Sequence, residues 1–250
     1  YLQKAGVKDT YENAKTYMNA TIGNRVPEIL KETYLKRGPE MLRFFHDNTK
    51  HMRFNYAKNY SDYYAHLPGG KPTGRSIEPK IIDLRRLKEW EGLILEPSLS
   101  TKSFTMTEQE FHKINMITRT IKGKATSLKL GTRMIKSKLT GARYASLGQA
   151  LIARMALSYK KAGGKFRVNS AFKDFIVENN RVIGVLIESN GKQLRIKANR
   201  GVMLGAGGFS QDQEKRQQYL PQPTNKEWTS SPSGQTGDII EPCKKLRAKF

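Results

Sequence analysis

The stretch GVMLGAGGFSQDQ, residues 201–213, decides how this chain is read. Gly201-Val202-Met203-Leu204 is a short apolar run of the kind that forms a buried strand, and Gly205-Ala206-Gly207-Gly208 then turns the chain at little steric cost. Ser210 and Gln213 stand at capping-box spacing and predict a helix running to about Tyr219. A strand, a glycine turn and a helix in that order leave backbone N–H groups unpaired at the turn, where a pyrophosphate can approach. GAGG is not GxGxxG, however, and a glycine turn serves close packing as readily, so both readings stand.

Upstream of this unit the hydrophobic period is that of short strands. Residues 165–168, 171–178, 182–189 and 193–198 alternate with the turn pairs Asn179-Asn180 and Asn190-Gly191, which predicts a three- or four-stranded antiparallel meander. Before the meander the period is helical. Ser146 to Ala162 carries Leu147, Leu151, Ile152, Met155 and Tyr159 at helical spacing and stops at Gly163-Gly164. A helix is predicted over about 125–139, and Thr107-Glu108-Gln109-Glu110 has the capping-box signature of a basic helix running to about residue 121. Asp9-Thr10-Tyr11-Glu12 has the same spacing and opens a helix to about Thr21. A second helix over 27–36 is expected to close at Gly38-Pro39, with a third over 40–47 and a brief strand over 52–55.

Between Tyr56 and Pro97 the chain changes character. NYSDYYAHLPGG, residues 59–70, sets Tyr60, Tyr63 and Tyr64 beside a Pro-Gly-Gly turn, and Pro79 is expected to interrupt any regular element. Three tyrosines anchor a long loop readily, because each ring packs while its hydroxyl hydrogen-bonds. A loop of this length inside a compact domain is also a common place for function.

Composition bounds the rest. The chain has 250 residues, enough for one large core or two modest ones. It carries 45 Lys and Arg against 22 Asp and Glu, a formal charge of +23, and no acidic residue falls between Glu110 and Asp174. Such a field attracts nucleic acid or an anionic membrane surface, or it is a solvated face. No RNP, zinc-finger, KH-type or basic-zipper pattern is present, which argues against nucleic acid. A single cysteine, Cys243, and four scattered histidines, His46, His51, His66 and His112, offer neither an internal disulfide nor metal-ligand spacing. No apolar run reaches the roughly 20 residues of a membrane span, and YLQKAGVKDT has no signal-peptide core, so a cytoplasmic protein is expected.

YSDYY, LPGG with GRSIEP, SLGQALIARM, NNRVIGV, GVMLGAGGFS and SGQTGD occur in fixed order along the chain. Together they resemble the flavin-dependent dehydrogenases of the fumarate reductase and 3-oxosteroid dehydrogenase superfamily, most of all its 3-oxosteroid 1-dehydrogenase-like members. The resemblance implies an α/β fold with an α+β portion, part of a Rossmann-type FAD-binding domain with an antiparallel meander and a helical and loop insertion. It divides the chain into a helical segment at 1–55, a substrate-facing loop region at 56–106, basic helices at 107–164, the meander at 165–200 and a return to the FAD-binding sheet at 201–250. It implies FAD as cofactor, a ketosteroid-like substrate and an electron acceptor of unknown identity. Attachment to a membrane surface fits such an enzyme, because apolar steroids partition into bilayers.

Position by position, the resemblance makes Tyr63 the active-site tyrosine that assists a proton-abstracting tyrosine by hydrogen bonding. Tyr60 and Tyr64 fall on the substrate wall, Phe172 lies where backbone meets the adenine, Ala206, Gly207 and Gly208 form the turn beside the cofactor, and Asp238 helps to hold FAD. Phe172 reads equally as a core side chain and Asp238 as the cap of a helix beginning at Ile239. The superfamily's GxGxxG turn is expected before residue 1, and its capping domain, catalytic base and ketone-polarising groups after residue 250. The chain alone is therefore expected to be an incomplete, inactive piece of a larger enzyme. The rival functions are a fumarate- or enoate-reductase-like flavoprotein and a basic nucleic-acid- or membrane-surface-binding module.

Overall fold

The computed structural model describes residues 1–96 and 105–248; the part of the expected substrate-facing loop at 97–104 lies outside the described residues. The chain forms two compact units, Tyr1–Lys165 and Phe166–Phe250.

The first unit begins with α1 (Tyr11–Ile22) and α2 (Glu28–Asn48). The N-cap of α1 is Thr10, one residue later than the spacing implied, because Thr10 Oγ1 accepts the Asn13 N–H at 3.1 Å while Asp9 is drawn into an ion pair with Arg75. The expected break at Gly38-Pro39 does not occur: α2 runs through both residues as one helix. An interior proline costs about 3 kcal/mol through its missing N–H and ring crowding. Here the Arg37–Glu40 pair at 2.6 Å spans the proline, and upstream Lys15 bridges α1 to Glu28 and Glu32 at 3.1 and 2.8 Å.

Next come the antiparallel pair β1 (Phe54–Tyr56) and β2 (Ile77–Pro79), in which Phe54 opposes Pro79. Pro79 thus ends a strand, where a missing donor is tolerated. Then β3 (Ile82–Asp83) leads into a 3-10 segment, Leu84–Leu93, kinked at Lys88 with φ 56°. Two helices follow: α3 (Glu108–Ile114) and α4 (Ile121–Thr140). β4 (Tyr144–Ala145) pairs antiparallel with β3, and α5 (Leu147–Lys161) closes the unit.

The core of this unit is the face of α5 made by Ala150, Ala153, Ala156 and Leu157, packed on Ile82, Leu84 and Leu87. Alanines at that spacing let the helix approach closely, and fully burying Leu87 contributes roughly 1.5–3 kcal/mol. The helical period of α5 is as expected, but the larger side chains Leu147, Ile152, Met155 and Tyr159 lie on its exposed side. Arg154 explains the choice of face. Its buried guanidinium donates to the carbonyls of Lys80 at 2.6 Å, Ile81 at 2.8 Å and His51, and so turns the alanine face inward.

The second unit is built on β5 (Ser170–Glu178), β6 (Arg181–Ser189) and β7 (Lys192–Lys197), a three-stranded antiparallel meander in sequence order. Its two-residue turns have the positive φ that primed hairpin turns need, 48° and 62° at Asn179-Asn180 and 53° and 71° at Asn190-Gly191. Residues 165–168 do not add a fourth strand, and residues 201–204 are not a strand either. A strand exists only when its backbone groups meet a neighbour, and among the described residues no strand lies beside 201–204. Met203 is left almost fully exposed. Two short helices complete the unit, α6 (Gln213–Tyr219) and α7 (Ile240–Lys245). No described helix is long and apolar enough to cross a membrane.

Candidate functional site

The tyrosine loop of the first unit is held from beneath by Arg75. Its guanidinium donates to Asp9 Oδ2 at 2.6 Å and Oδ1 at 3.2 Å, to Asp62 Oδ2, and to the Gly69 carbonyl at 2.7 Å. Its carbon lies 5.4 Å from the centre of the Tyr17 ring, which in turn accepts the Tyr64 N–H on its hydroxyl at 3.2 Å. A guanidinium presents its donors in a fixed planar fork, so one side chain sets the spacing of three backbone segments. The glycines of the turn are required by that packing. Gly74 has φ 70°, and a Cβ there would overlap the Tyr60 carbonyl oxygen.

On this base the phenols face outward. Tyr60 is half-buried, hydrogen-bonds Tyr63, and lies 6.4 Å from the His112 ring of α3. The Tyr63 hydrogen bond holds the Tyr60 phenol above its ordinary range, so Tyr60 stays neutral at physiological pH. Tyr63 is 87% exposed and Tyr64 is exposed as well. A buried anchor would have hidden these rings; the loop is instead anchored by Arg75 and by the Tyr56 hydroxyl, which donates to the Thr73 carbonyl at 2.5 Å.

Beneath the loop α3 is fixed by a reciprocal capping box. Glu110 N–H donates to Thr107 Oγ1 at 3.3 Å and Thr107 N–H donates to Glu110 Oε2 at 3.0 Å. Burial pushes the Glu110 carboxyl up, but the Arg133 guanidinium at 2.8 and 2.9 Å, the Thr107 N–H and Lys129 at 3.0 Å outweigh it and bring the group down to about 2. Its neighbour Glu78 is held above the ordinary range by burial.

In the second unit the glycine turn and the Thr236-Gly237-Asp238 segment are packed together by Gln235. Gln211 N–H donates to the Gln235 carbonyl at 2.9 Å, and Ser210 Oγ donates to Gln235 Oε1 at 2.9 Å. Ser210 is therefore taken up by Gln235 and Ser231, and the cap of α6 is Asp212, which accepts the Lys215 N–H at 2.9 Å. The two meanings of the glycines separate by position. Gly207, with φ 77°, and Gly237, with φ 67°, serve close packing: a Cβ would come 3.4 Å from Gln235 Cγ at the first and 2.7 Å from Phe209 Cβ at the second. Gly205 and Gly208 have open space instead. The N–H groups of residues 205–208 donate to no acceptor among the described residues. An exposed turn with unpaired donors and room at two glycines fits an anionic group of a dinucleotide.

Asp238 does not cap α7, whose first turn has no side-chain cap; its Oδ1 accepts from Thr236 Oγ1 at 2.7 Å and the carboxylate remains exposed. Phe172 is half-buried on β5, its ring 5.0 Å from Phe175, and its backbone opposes Ile187 next to a register shift at Phe172/Asp174. Thus Gly207 packs on Gln235, and Gly237, next to Asp238, packs on Phe209, which brings the glycine turn and the Thr236-Gly237-Asp238 segment together; Tyr60 and Tyr63 are neighbours through their hydroxyls. Sequence reasoning missed Arg75 and Gln235. Asp9 and Asp62 were signals for Arg75, but Asp9 read as a helix cap.

A family model for an FAD binding domain matches residues 1–245. The chain belongs to that family. FAD is accordingly the cofactor indicated. Among curated relatives of this FAD-binding chain, the 3-oxosteroid 1-dehydrogenase of Mycolicibacterium smegmatis is 37% identical over 255 residues, covering 99% of this chain and 44% of that protein. The 3-oxosteroid 1-dehydrogenase of Mycobacterium tuberculosis is 38% identical over 256 residues, covering 99% and 45%. Among solved structures, the 3-ketosteroid delta1-dehydrogenase of Sterolibacterium denitrificans, in complex with 1,4-androstadiene-3,17-dione, superposes with a TM-score of 0.84 at 30% identity, covering 96% of this chain and 44% of that one. The chain spans less than half the length of these relatives. The resemblance read from the tyrosine, glycine and TGD motifs is borne out, and the fold is a mixture of helices and small antiparallel sheets that includes the expected meander.

Proposed function

We propose that this chain is part of an FAD-dependent dehydrogenase that desaturates a 3-oxosteroid-like ketone. The observation that carries the reading is the similarity of 99% of the chain, at 37–38% identity, to 3-oxosteroid 1-dehydrogenases. In the reaction a proton leaves the carbon beside the ketone, a hydride leaves the neighbouring carbon, and the remaining C–H electron pair becomes the new double bond. FAD, when bound, supplies the hydride acceptor. On this reading residues 56–96 face the substrate, Tyr60 and Tyr64 line its wall, and Tyr63 donates its hydroxyl to the base that takes the proton. The Gly205–Gly208 turn donates N–H groups to the dinucleotide, Asp238 accepts from it, and the Phe172 backbone borders the adenine. The protein works in the cytoplasm, at a membrane surface where apolar ketones partition.

A reductase acting on fumarate needs free cations for two carboxylates. Arg75, the cation central to the tyrosine loop, is occupied by Asp9 and Asp62, and the exposed groups are phenols. A flavoprotein containing these 250 residues is therefore expected to reduce an artificial electron dye with 3-oxosteroid and to leave fumarate unchanged when supplied with reduced dye. Fumarate reduction without steroid oxidation overturns the reading.

The 250-residue chain on its own is expected to purify with substoichiometric flavin, read from its visible absorbance. Sites that hold such ligands bury about 70–90% of the ligand surface, and the turn and Asp238 are both exposed. A full equivalent of bound flavin refutes this expectation.

A further inference from the structure

We infer that the outward face of α4 docks on an anionic lipid bilayer. This deepens the membrane-surface part of the proposed function and is independent of its flavin chemistry.

The helix has three faces. Gly123, Thr126 and Leu130 are buried, and Arg133 beside them reaches Glu110 and the Thr105 carbonyl. On the opposite side Ile121, Ala125, Leu128, Thr132, Ile135 and Leu139 recur at intervals of four and three residues, which places them in one line along the helix. The four large residues of this line are 86%, 72%, 56% and 81% exposed in that order. Apolar side chains this exposed along nearly the whole length of a 20-residue helix mark an interaction surface.

Charge identifies the partner. The helical period puts Lys122, Lys129 and Lys136 on one flank of the line and Lys124 and Lys138 on the other. No acidic residue occurs anywhere in the helix. Lys129 is paired with Glu110, but among the described residues no carboxylate lies within ion-pair distance of Lys122, Lys124, Lys136 or Lys138. An apolar line bordered on both sides by long cations is the arrangement that lies flat in a headgroup layer. The leucines and isoleucines enter the acyl boundary while the lysines reach lipid phosphates. Two other helices show outward apolar residues without this arrangement. On α2, Leu30, Tyr34, Met41 and Phe44 are exposed, but Glu28, Glu32, Glu40 and Asp47 balance its cations. On α5 the flanks of Ile152 and Met155 hold alanine, leucine and glutamine, with Lys160 committed to Glu89.

The test is co-sedimentation of the chain, and of a flavoprotein containing it, with vesicles of phosphatidylcholine alone or mixed with phosphatidylglycerol. Binding is expected only to the mixed vesicles and is expected to weaken as salt rises. Lys124→Glu with Lys136→Glu lowers the partition coefficient by at least about fivefold per lysine, or at least about 25-fold for the pair, since each reversal removes a cation and adds a repelled carboxylate. Leu128→Gln with Ile135→Gln, which keeps helix propensity, lowers it about tenfold or more. Circular dichroism matching the parent shows that each variant is folded. Equal binding to both vesicle types, no vesicle binding, or parent-like binding by either folded variant overturns the inference. So does tighter binding to duplex DNA that the glutamine pair leaves unchanged, or a dimer that the glutamine pair abolishes. Binding by the isolated chain but not by the flavoprotein also overturns it, because another part of the protein then covers the face. No flavin or steroid is involved, so failure here is distinct from failure of the dehydrogenase reading.

Discussion

Replacing Tyr63 by phenylalanine is expected to lower steroid turnover about a hundredfold while leaving flavin content unchanged in a flavoprotein containing this chain. The substitution removes one oxygen and one hydrogen-bond donor. A donor to the base favours the ionised form that accepts the proton, and positioned acid–base assistance of this kind contributes about 10² to 10⁴ in rate. The geometry separates the two neighbouring phenols. Tyr60 is held neutral by its bond to Tyr63 and sits against His112, which suits it to the proposed wall position better than to the role of base. Tyr63, exposed on the outer side of the same bond, is the phenol free to meet a second partner. A ring-preserving change leaves Arg75, Asp62 and Gly74 untouched, so the loop keeps its place. The measurement is kcat across a pH series with bound flavin quantified at each point. Parent-like turnover refutes the role, and loss of flavin together with turnover would make Tyr63 a structural residue instead.

What was legible in the sequence was whatever depended on neighbours along the chain. The capping box at Thr107 and Glu110 and the asparagine turns of the meander are set by residues within four positions of one another, and both form as read. The resemblance to ketosteroid dehydrogenases was legible for a different reason: six short motifs in fixed order are far more specific than any one of them. What was illegible depended on distant partners. Pro39 reads as a helix stop, and nothing nearby in sequence announces that α2 continues past it. The run at 201–204 has the composition of a strand, but a strand is a pairing and not a composition. The outward placement of Met155 and Tyr159 follows from three carbonyls that Arg154 finds at Lys80, Ile81 and His51, all more than seventy residues away. Arg75 is the case that matters most for the site. It organises the tyrosine loop through Asp9, sixty-six residues earlier, and a lone arginine in a glycine-rich loop carries no local mark of that task.

Glu110→Gln is expected to destabilise the first unit by about 3 kcal/mol near neutral pH, and this loss is expected to vanish in acid. The carboxylate is buried and meets Arg133, Lys129 and the Thr107 N–H together, and removing one member of such a set strands the others. The sign follows from linkage. A carboxyl brought from 4.5 to about 2 on folding stabilises the folded state above its unfolded value, and that contribution falls away between about pH 4.5 and 2. A shift of this size corresponds to about 3 kcal/mol. Glu78 acts in the opposite sense, since burial holds it up and its ionisation costs stability as pH rises. The burial part of that cost is common to parent and variant, while the smaller repulsion from Glu110 is relieved in the variant. Urea unfolding of both proteins from pH 7 to pH 2 should therefore show a gap that closes toward the acid end. A gap below about 1 kcal/mol at neutral pH, or one that does not change with pH, contradicts the assignment. Glu110 fixes α3, whose His112 ring faces Tyr60, and it holds Arg133 and Lys129 of α4. One buried carboxylate thus supports both the wall of the tyrosine loop and the helix whose basic, apolar face points outward.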